Sequence, residues 1–443
     1  MGCASTSLVA KTSIEEELYI VDPSKMHLSW IQKHTHWIVD HISSKGFEVY
    51  GPTGTATELK KRGIFPIDMR AEQLLSGNAA DYPSFKEIEA KLKALQAAYP
   101  NLLELFSIGK SVKGRDLWVV KISHTDPVAP SVVKPEVKYI SSMHGNEITG
   151  RELMMRLIED LATGYSEDPS IKELIDSTHI YIMPSMNPDG SESKMRGNGN
   201  FVDLNRDFPD FSTSDNQNSL ENRQPETQAV MKFQAGRNFS LSANFHGGAE
   251  VVNYPWDTIA EKHPLEELIV GLSLEYSELT PYIYASTEFS QGITNGYAWY
   301  EVDGGMQDWS YHWHNDLQVT IELSNQKWPQ YSMIEPYYTQ NRSALITYLK
   351  RVHQGAGFYF IDSKDASGSV AITDTSRQKS LGEFSFARGQ FYKVLEPGHY
   401  DFFLTTKDGK QMNASVQVEV DKVTLNGNFA KLSLLNVTPE RAE

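Results

Sequence analysis

The sequence predicts an α/β protein with a mixed, mostly parallel sheet flanked by helices, preceded by a small α/β unit and followed by an all-β sandwich. Predicted strands and helices alternate from Tyr82 to about Gly355, which is typical of a parallel sheet. Short alternating apolar runs without a long helix follow His353 and indicate a sandwich. A separate α/β pattern occupies residues 15–70. We therefore expect four segments: a flexible terminus (1–14), the small unit (15–70), a central domain (81–352) and the sandwich (353–440).

The small unit is predicted to contain two strands and two helices. Apolar and β-branched residues favour strands at 18–21 and 47–50. Helical periodicity predicts helices at 29–43 and 55–62, the second opening with a threonine cap at Thr55.

The central domain is predicted to open with a helix at 85–99. Its strands are then expected at 117–122, 137–143, 179–183, 239–245 and 317–323. Ligand sites of open α/β sheets lie outside the carboxyl ends of the strands. Because chemically unusual residues follow several of these strands, the sequence predicts one shared pocket.

Charge and composition exclude several classes of function. The net charge of −16 disfavours nucleic acid, whose phosphates would be repelled, and is compatible with positively charged substrates. No apolar run is long enough to predict a membrane-spanning helix. The only cysteine is Cys3, which excludes internal disulfides and a cysteine-based zinc site.

The first six residues, MGCAST, allow three interpretations. They fit an N-myristoylation pattern at Gly2 with a nearby Cys3 for palmitate, and they also resemble the end of a bacterial lipoprotein signal. The third interpretation is a disordered end without function. A lipid anchor at this end is therefore one expectation, and a location outside the cytoplasm is favoured over a cytoplasmic one.

Two histidines and two glutamates could form a catalytic metal site. His144 and Glu147 lie three residues apart at a strand-to-helix turn, and His246 closes another strand before two glycines. Two His and one Glu with an open fourth position is a catalytic zinc arrangement. Such a site also needs a proton acceptor for water, and Glu322, at the end of an apolar strand, is the best candidate. Each residue alone has an ordinary structural explanation.

Several motifs, in the same order along the chain, resemble the zinc metallocarboxypeptidase family. The C-terminal sandwich matches the branch of carboxypeptidases E, N, M and D, which pairs the catalytic domain with a transthyretin-like β-sandwich. The resemblance covers roughly residues 81–440, and the unit at 15–70 resembles small pro-region-like segments of bacterial members. The motifs are 144–147 (HGNE), 150–153 (GREL), 203–210 (DLNRDFPD), 242–248 (SANFHGG), 295–309 (NGYAWYEVDGGMQDW) and 320–324 (TIELS) with 327–329 (KWP).

The resemblance implies a role for each matching residue. One Zn²⁺ per chain would be held by His144, Glu147 and His246, and Glu322 would activate the attacking water. Arg196, nine residues before Asn205, would polarise the scissile carbonyl. The remaining matches concern the substrate: Asn205 and Arg206 would grip its terminal carboxylate, and Tyr300 would close over its last residue. His312 and His314 match no ligand position.

Specificity is implied by an acid eleven residues after His246. Asp257 matches the acid that pairs with a substrate Lys or Arg in this branch, and Gln307 matches its polar pocket residue. An acid in an enclosed pocket needs a cationic partner. The resemblance therefore implies release of a C-terminal Lys or Arg from peptides or proteins.

Three alternatives remain open at the level of sequence. Asp257 could be a surface acid in a turn. The same site could act on peptidoglycan peptides that end in diaminopimelate, whose amine would also meet Asp257. The chain could also be a catalytically silent peptide-binding module.

The chain differs from the animal members of the family it resembles in three ways: it has no disulfide cysteines, its loop at 209–225 is short, and it has an additional N-terminal unit. These differences favour a bacterial origin.

Overall fold

The fold is described by a computed structural model that covers residues 16–22, 24, 30–31, 37–43, 46–69, 81–124, 133–419 and 428–434. The chain divides into two compact units, residues 1–76 and 77–443, and each is described by itself. The terminus predicted over 1–14 lies outside the described residues. The central domain and the sandwich, which we expected as separate domains, fall within one unit.

The first unit contains a small antiparallel sheet and the short helix at Thr55–Lys61. Its strands stand in the order β2-β3-β1-β4, and Val21, Phe47, Val49 and Leu59 fill its core. The elements are β1 (Glu16–Val21), β2 (Ile38–Ser43), β3 (Gly46–Pro52), α1 (Thr55–Lys61) and β4 (Ile67–Asp68).

Two predictions for this unit are wrong. Residues 38–43, expected in a helix, form strand β2, because β-branched Ile38 and Val39 favour extended backbone and a short connection lets β2 pair with β3. Gly54 rather than Thr55 caps helix α1, and the Thr55 hydroxyl donates instead to the carbonyl of Pro52, at 2.8 Å. Strand β4 was not predicted.

The second unit begins with a helix whose start is encoded locally. The Ser84 hydroxyl accepts the N–H of Glu87, and the Glu87 carboxylate accepts the N–H of Ser84, which forms a capping box. The helices of this unit are α2 (Phe85–Ala98), α3 (Thr149–Glu167), α4 (Pro169–Ser177), α5 (Pro188–Ser193), α6 (Pro225–Ala235), α7 (Glu266–Glu278), α8 (Pro281–Tyr284), α9 (Gly296–Trp299), α10 (Met306–His314) and α11 (Ile334–Lys350).

An eight-stranded mixed sheet forms the centre of the second unit, in the order β11-β10-β12-β9-β7-β8-β6-β5. Four of the seven described strand pairs are parallel, and β6 pairs antiparallel with both of its neighbours. Three of the strands, β5, β10 and β11, were not predicted. The strands are β5 (Leu103–Lys110), β6 (Asp116–Ile122), β7 (Glu136–Ser141), β8 (His179–Met183), β9 (Phe239–His246), β10 (Glu250–Tyr254), β11 (Ile293–Asn295) and β12 (Leu317–Leu323).

The middle strands of this sheet are covered on both faces. Every residue of β7 and β9 is buried, as expected for parallel strands between layers of helices. β7 lies between β8 and β9, and all three run parallel. Their carboxyl ends therefore meet at one edge of the sheet.

The C-terminal sandwich consists of two sheets, in the orders β16-β13-β19 and β15-β14-β17-β18. Phe358, Val370, Phe402 and Leu404 are among the residues of its core. It packs on the central domain, where the Ser240 hydroxyl of β9 donates to the Tyr392 carbonyl at 3.1 Å. The strands are β13 (Gly355–Phe360), β14 (Gly368–Asp374), β15 (Lys379–Phe386), β16 (Gln390–Val394), β17 (Gly398–Thr406), β18 (Gln411–Val418) and β19 (Asn428–Leu432).

Candidate metal centre and adjoining pocket

The three predicted metal ligands meet at the carboxyl ends of β7 and β9. His144 and Glu147 lie in the turn between β7 and α3, and His246 is the last residue of β9. Gly145 lets this turn approach the neighbouring chain, because a Cβ there would lie 2.1 Å from the backbone of Gly190. The parallel pairing of the two strands thus brings together residues about 100 positions apart.

The ligand atoms are buried and close enough to hold one ion. The Nδ1 atoms of His144 and His246 are 3.0 Å apart, and Glu147 Oε2 lies 3.0 Å from the first and 2.9 Å from the second. All three residues are at most 2% exposed. Two imidazole nitrogens and one carboxylate oxygen are ligands that zinc prefers. Among the described residues, this is the one group of His, Cys, Asp or Glu side chains close enough to hold a metal.

Burial and neighbouring charges keep two of the three ligands, Glu147 and His246, in states that suit a cation. Burial raises the pKa of Glu147, but His144 and His246 outweigh burial and hold it well below its usual value. Burial lowers the pKa of His246. For His144, burial and Arg196 act to lower the pKa, and Glu147 and Asp203 raise it by more. Glu147 is therefore a carboxylate, and His246 favours the neutral imidazole.

The outer nitrogen of each histidine contacts a second polar residue. His144 Nε2 lies 2.9 Å from Asp203 Oδ1, and His246 Nε2 lies 2.7 Å from the side-chain amide of Asn244. Such contacts fix the orientation of a ligating imidazole. They leave both Nδ1 atoms facing Glu147.

Glu322 and Arg196 flank the three ligands. Glu322 is the register partner of His246 in the parallel pair β9·β12, so the two residues lie side by side. The Arg196 guanidinium lies 3.2 Å from Glu147 Oε1 and 3.0 Å from Asp203 Oδ2. Both predicted catalytic residues are therefore adjacent to the ligands, and Arg196 is already bonded to two carboxylates.

Asp257 lies three residues beyond the end of β10 and is only 3% exposed, so the surface-turn alternative is wrong. Its Oδ1 accepts hydrogen bonds of 3.0 Å from the amides of Asn253 and Gln307. The oxygen atoms of the same two amides, Asn253 Oδ1 and Gln307 Oε1, are buried and have no hydrogen-bond partner among the described residues. The pocket thus offers several oxygen acceptors around one acid.

The charge of Asp257 is costly without a cation. Burial raises its pKa to about 7, and Asp210 adds to this rise, while Asn253 and Arg206 oppose it. Asp308 holds the loop that carries Asp257 in place, because its Oδ2 accepts the backbone N–H groups of Asp257 and Thr258 at 2.8 and 2.9 Å. The acid is therefore held in place but not neutralised.

The predicted substrate-binding residues surround this pocket. Asn205 Oδ1 accepts the N–H of Met306 at 3.0 Å, next to Gly305. A Cβ on Gly305 would lie 3.7 Å from both Asn205 Oδ1 and Asp257 Oδ2, so these two side chains face the same space. The half-buried Arg206 lies next to Asn205 and donates to its carbonyl at 3.0 Å.

Tyr300 follows helix α9, in the segment that packs on the Asp257 loop. The N–H of Tyr297 donates to the Trp256 carbonyl at 2.9 Å, and that of Val302 to the Asp257 carbonyl at 3.1 Å. The Tyr300 side chain is half-buried against Trp299. The structure thus brings all ten predicted site residues to one edge of the sheet.

Sequence reasoning missed four supporting residues: Asp203, Asn244, Asn253 and Asp308. Asp203 stood inside a motif, two residues before Asn205, and that position was the available signal. Asn244 lay two residues before His246, hence on the same face of the strand. Asp308 stood inside the motif at 295–309, next to Gln307, but nothing in the sequence indicated its contact with the Asp257 loop. No signal marked Asn253, because its role depends on a loop conformation.

Comparison with known proteins gives consistent results. A profile of the family described as zinc carboxypeptidase matches residues 88–344. The chain is 39% identical to carboxypeptidase M of Mus musculus over 71% of this chain and 75% of that protein. It is 38% identical to carboxypeptidase D of Mus musculus over 75% of this chain, but spans only about a quarter (26%) of that protein's length.

The fold is similar to that of a solved carboxypeptidase. The crystal structure of carboxypeptidase A from Helicoverpa armigera aligns with a TM-score of 0.61 at 18% identity, over 77% of this chain and 98% of that one. At this identity the likeness concerns the fold alone. It agrees with the mixed sheet and flanking helices described above.

Proposed function

The chain belongs to the zinc carboxypeptidase family, and on that premise we propose that it removes a single C-terminal Lys or Arg from peptides or proteins. The observation that carries the specificity is the buried Asp257 with Asn253 Oδ1 and Gln307 Oε1 beside it. An ammonium or guanidinium group would donate to these acceptors and balance the buried charge. An apolar side chain would leave them without partners.

The residues of the centre have the properties that the reaction requires. His144, Glu147 and His246 would hold zinc, and their burial and inward-facing donor atoms fit that ion. When bound, zinc supplies Lewis-acid chemistry that lowers the pKa of water and polarises a carbonyl. Glu322, which lies beside His246, would accept the proton of the attacking water and pass it to the leaving amine.

The proposed binding of the terminal carboxylate makes the activity exopeptidic. Asn205 and Arg206 would hold the carboxylate, because a guanidinium can offer it two parallel hydrogen bonds. Arg196 would support the scissile carbonyl, although it must then share its donors with Glu147 and Asp203. Tyr300 would cover the last residue of the substrate. A chain that continued past this residue would not offer the free carboxylate that Asn205 and Arg206 are proposed to hold.

The test is a series of matched peptides that end in Lys, Arg, diaminopimelate, Leu, Phe and Glu. Wild type is compared with Asp257→Asn, which keeps the size of the side chain and removes its charge. Asp303→Asn is the control, because Asp303 is an exposed acid that bonds to Thr258 near the pocket. We expect fast release of Lys and Arg by wild type and the control, and loss of this preference in Asp257→Asn.

Two other results would change the proposal. Faster release of diaminopimelate than of Lys would move the substrate class to peptidoglycan peptides. A zinc-loaded protein that releases none of these residues would support a silent binding module.

We also propose that the protein works outside the cytoplasm or at a membrane surface, with the Gly2-Cys3 pair as a point of lipid attachment. None of the helices in the described part of the chain is long and apolar enough to cross a membrane. Cell fractionation of wild type and Cys3→Ser tests the proposal. Identical distribution of the two proteins in the soluble fraction would contradict it.

A further inference from the structure

A small cleft lies between the central domain and the sandwich, far from the metal centre. Its volume is about 150 Å³, and its lining includes Arg237, Asn238, Trp313, His314, Arg388 and Tyr392. It adjoins the amino end of β9, and His246 closes the carboxyl end. Seven residue steps along a strand span roughly 23 Å. The cleft is therefore a separate feature.

Four buried polar atoms of this lining have no hydrogen-bond partner among the described residues: Arg237 Nε, Asn238 Nδ2, His314 Nε2 and Tyr392 Oη. Each of these atoms can carry a proton to donate. Buried donors are normally paired, and several orphaned donors around one cavity indicate a ligand that accepts hydrogen bonds. Burial lowers the pKa of His314 to about 4, so its ring is neutral and keeps one N–H.

The two guanidinium groups of the cleft bond to neutral acceptors. Arg388 donates to the carbonyl of Ala235 at 2.8 Å, to the carbonyl of Arg237, and to the side-chain oxygen of Asn238 at 2.7 Å. Arg237 donates to the carbonyl of Gly236 at 3.0 Å. Neither arginine forms an ion pair with a described residue.

The acid that interacts with both arginines of the cleft does not neutralise them. Glu136 interacts electrostatically with both arginines and with Lys121. Its oxygens already accept the N–H of Asn238, at 2.5 Å, and the Tyr181 hydroxyl, at 3.4 Å. The described lining of the cleft carries two arginines and no acid, which makes it a positive cleft on a chain whose net charge is −16.

Arg388 occupies a backbone position that rarely carries a large side chain. It is the first residue of a two-residue turn between β15 and β16, with φ 55° at Arg388 and 64° at Gly389. Asn, Asp or Gly are strongly preferred at this position of such turns. Strain of this kind persists where a side chain is needed at one place, and here the Arg388 side chain lines the cleft.

We propose that this cleft binds a small oxyanion of the size of phosphate or sulfate, which bridges the central domain and the sandwich. A cavity of 150 Å³ admits such an ion and excludes a peptide. The four orphaned donors, one of which belongs to Arg237, and the Arg388 guanidinium would bond to its oxygens, and hydrogen bonds between charged groups are the strong ones. The ion would stabilise the packing of the two domains and take no part in peptide hydrolysis.

The first test is calorimetric titration of the full-length protein with inorganic phosphate and with sulfate, against chloride at matched ionic strength. We expect saturable binding of one oxyanion per chain. The thermal unfolding midpoint should rise with the same concentration dependence, because the ion binds the folded state. Absence of saturable binding for both oxyanions would overturn the proposal.

The second test locates the site. Arg237→Gln should weaken binding roughly tenfold or more, since it removes a charged donor, and His314→Gln by less. Arg377→Gln is the matched control, because this sandwich arginine is paired with Asp374 and Glu396. Arg388→Gln should also weaken binding, since it removes the second guanidinium. If that variant does not fold, Arg237→Lys keeps the charge, loses the Nε donor, and should still bind more weakly than wild type. Equal affinity in wild type, Arg237→Gln and Arg237→Lys would mean an adventitious ion only.

Discussion

The two ends of strand β9 adjoin sites that suit ions of opposite charge. At the carboxyl end, His246 joins His144 and Glu147 in a group of buried acceptors that suits a cation. At the amino end, Asn238 and Arg237 adjoin a cleft of buried donors that suits an anion. One strand therefore serves two sites of opposite character.

The two sites are assembled from different parts of the fold. The ligands at the carboxyl end come from the central sheet itself, since parallel β7 and β9 end at the same edge. The cations at the amino end come partly from the sandwich, whose β15–β16 turn places Arg388 against the α6–β9 connection. The first site is a property of one domain, and the second requires two.

The largest expected effect is at the carboxyl end. Glu322→Gln should lower kcat by about 10²- to 10⁴-fold, the usual contribution of a general base. Steady-state turnover of a Lys-ended peptide measures this, with zinc content as the control for an intact metal centre. A loss below about threefold in a zinc-loaded variant would assign the proton acceptor to another group.

The next effect concerns the support of the metal ligands. Asp203→Asn should lower zinc affinity by about 10- to 100-fold, because the carboxylate that orients His144 loses its charge. Competition with a chelator measures the affinity, and Asp303→Asn is again the control. Unchanged affinity would show that burial alone orients the imidazole.

A pH effect should separate the pocket from the metal centre. Asp257 has a pKa of about 7, raised above its usual value, so the fraction that is ionised falls as pH drops below 7. Between pH 8 and pH 6 that fraction falls about tenfold. The kcat/KM for a Lys-ended peptide divided by that for a Leu-ended peptide should fall in the same proportion. Changes at the metal centre affect both substrates and therefore cancel in this ratio. A ratio that is constant with pH would contradict a role for Asp257.

The smallest expected effect tests the independence of the two ends. Arg237→Gln should change kcat/KM by less than about twofold, because distant sites without shared partners behave additively. The same protein should lose its stabilisation by phosphate. A large loss of turnover with intact zinc binding would mean that the two ends of β9 are coupled.

The sequence predicted the carboxyl end far better than the amino end. His144, Glu147, His246 and Glu322 could be found because each stands where a predicted strand ends, in a motif of fixed spacing. Their meeting needed only the rule that parallel strands end at the same edge. The other six predicted residues stand in segments between the strands, and only the family resemblance connected them with this site.

The remaining features depend on packing that no local pattern encodes. Asp308 bonds to a loop 50 residues away, and the cleft combines Arg237, His314 and Arg388 from three distant segments. In the first unit, the pattern of residues 38–43 favoured a helix, but these residues form strand β2 because they pair with β3. Tertiary contacts decided each of these cases.

The most direct test of the central claim compares a peptide that ends in Lys with the same peptide amidated at its C terminus. The amide removes the carboxylate that Asn205 and Arg206 are proposed to hold, but keeps the side chain for Asp257. Mass spectrometry should show loss of one Lys from the free peptide and no cleavage of the amidated peptide. Cleavage of both peptides at similar rates, or at an internal bond, would contradict the claim.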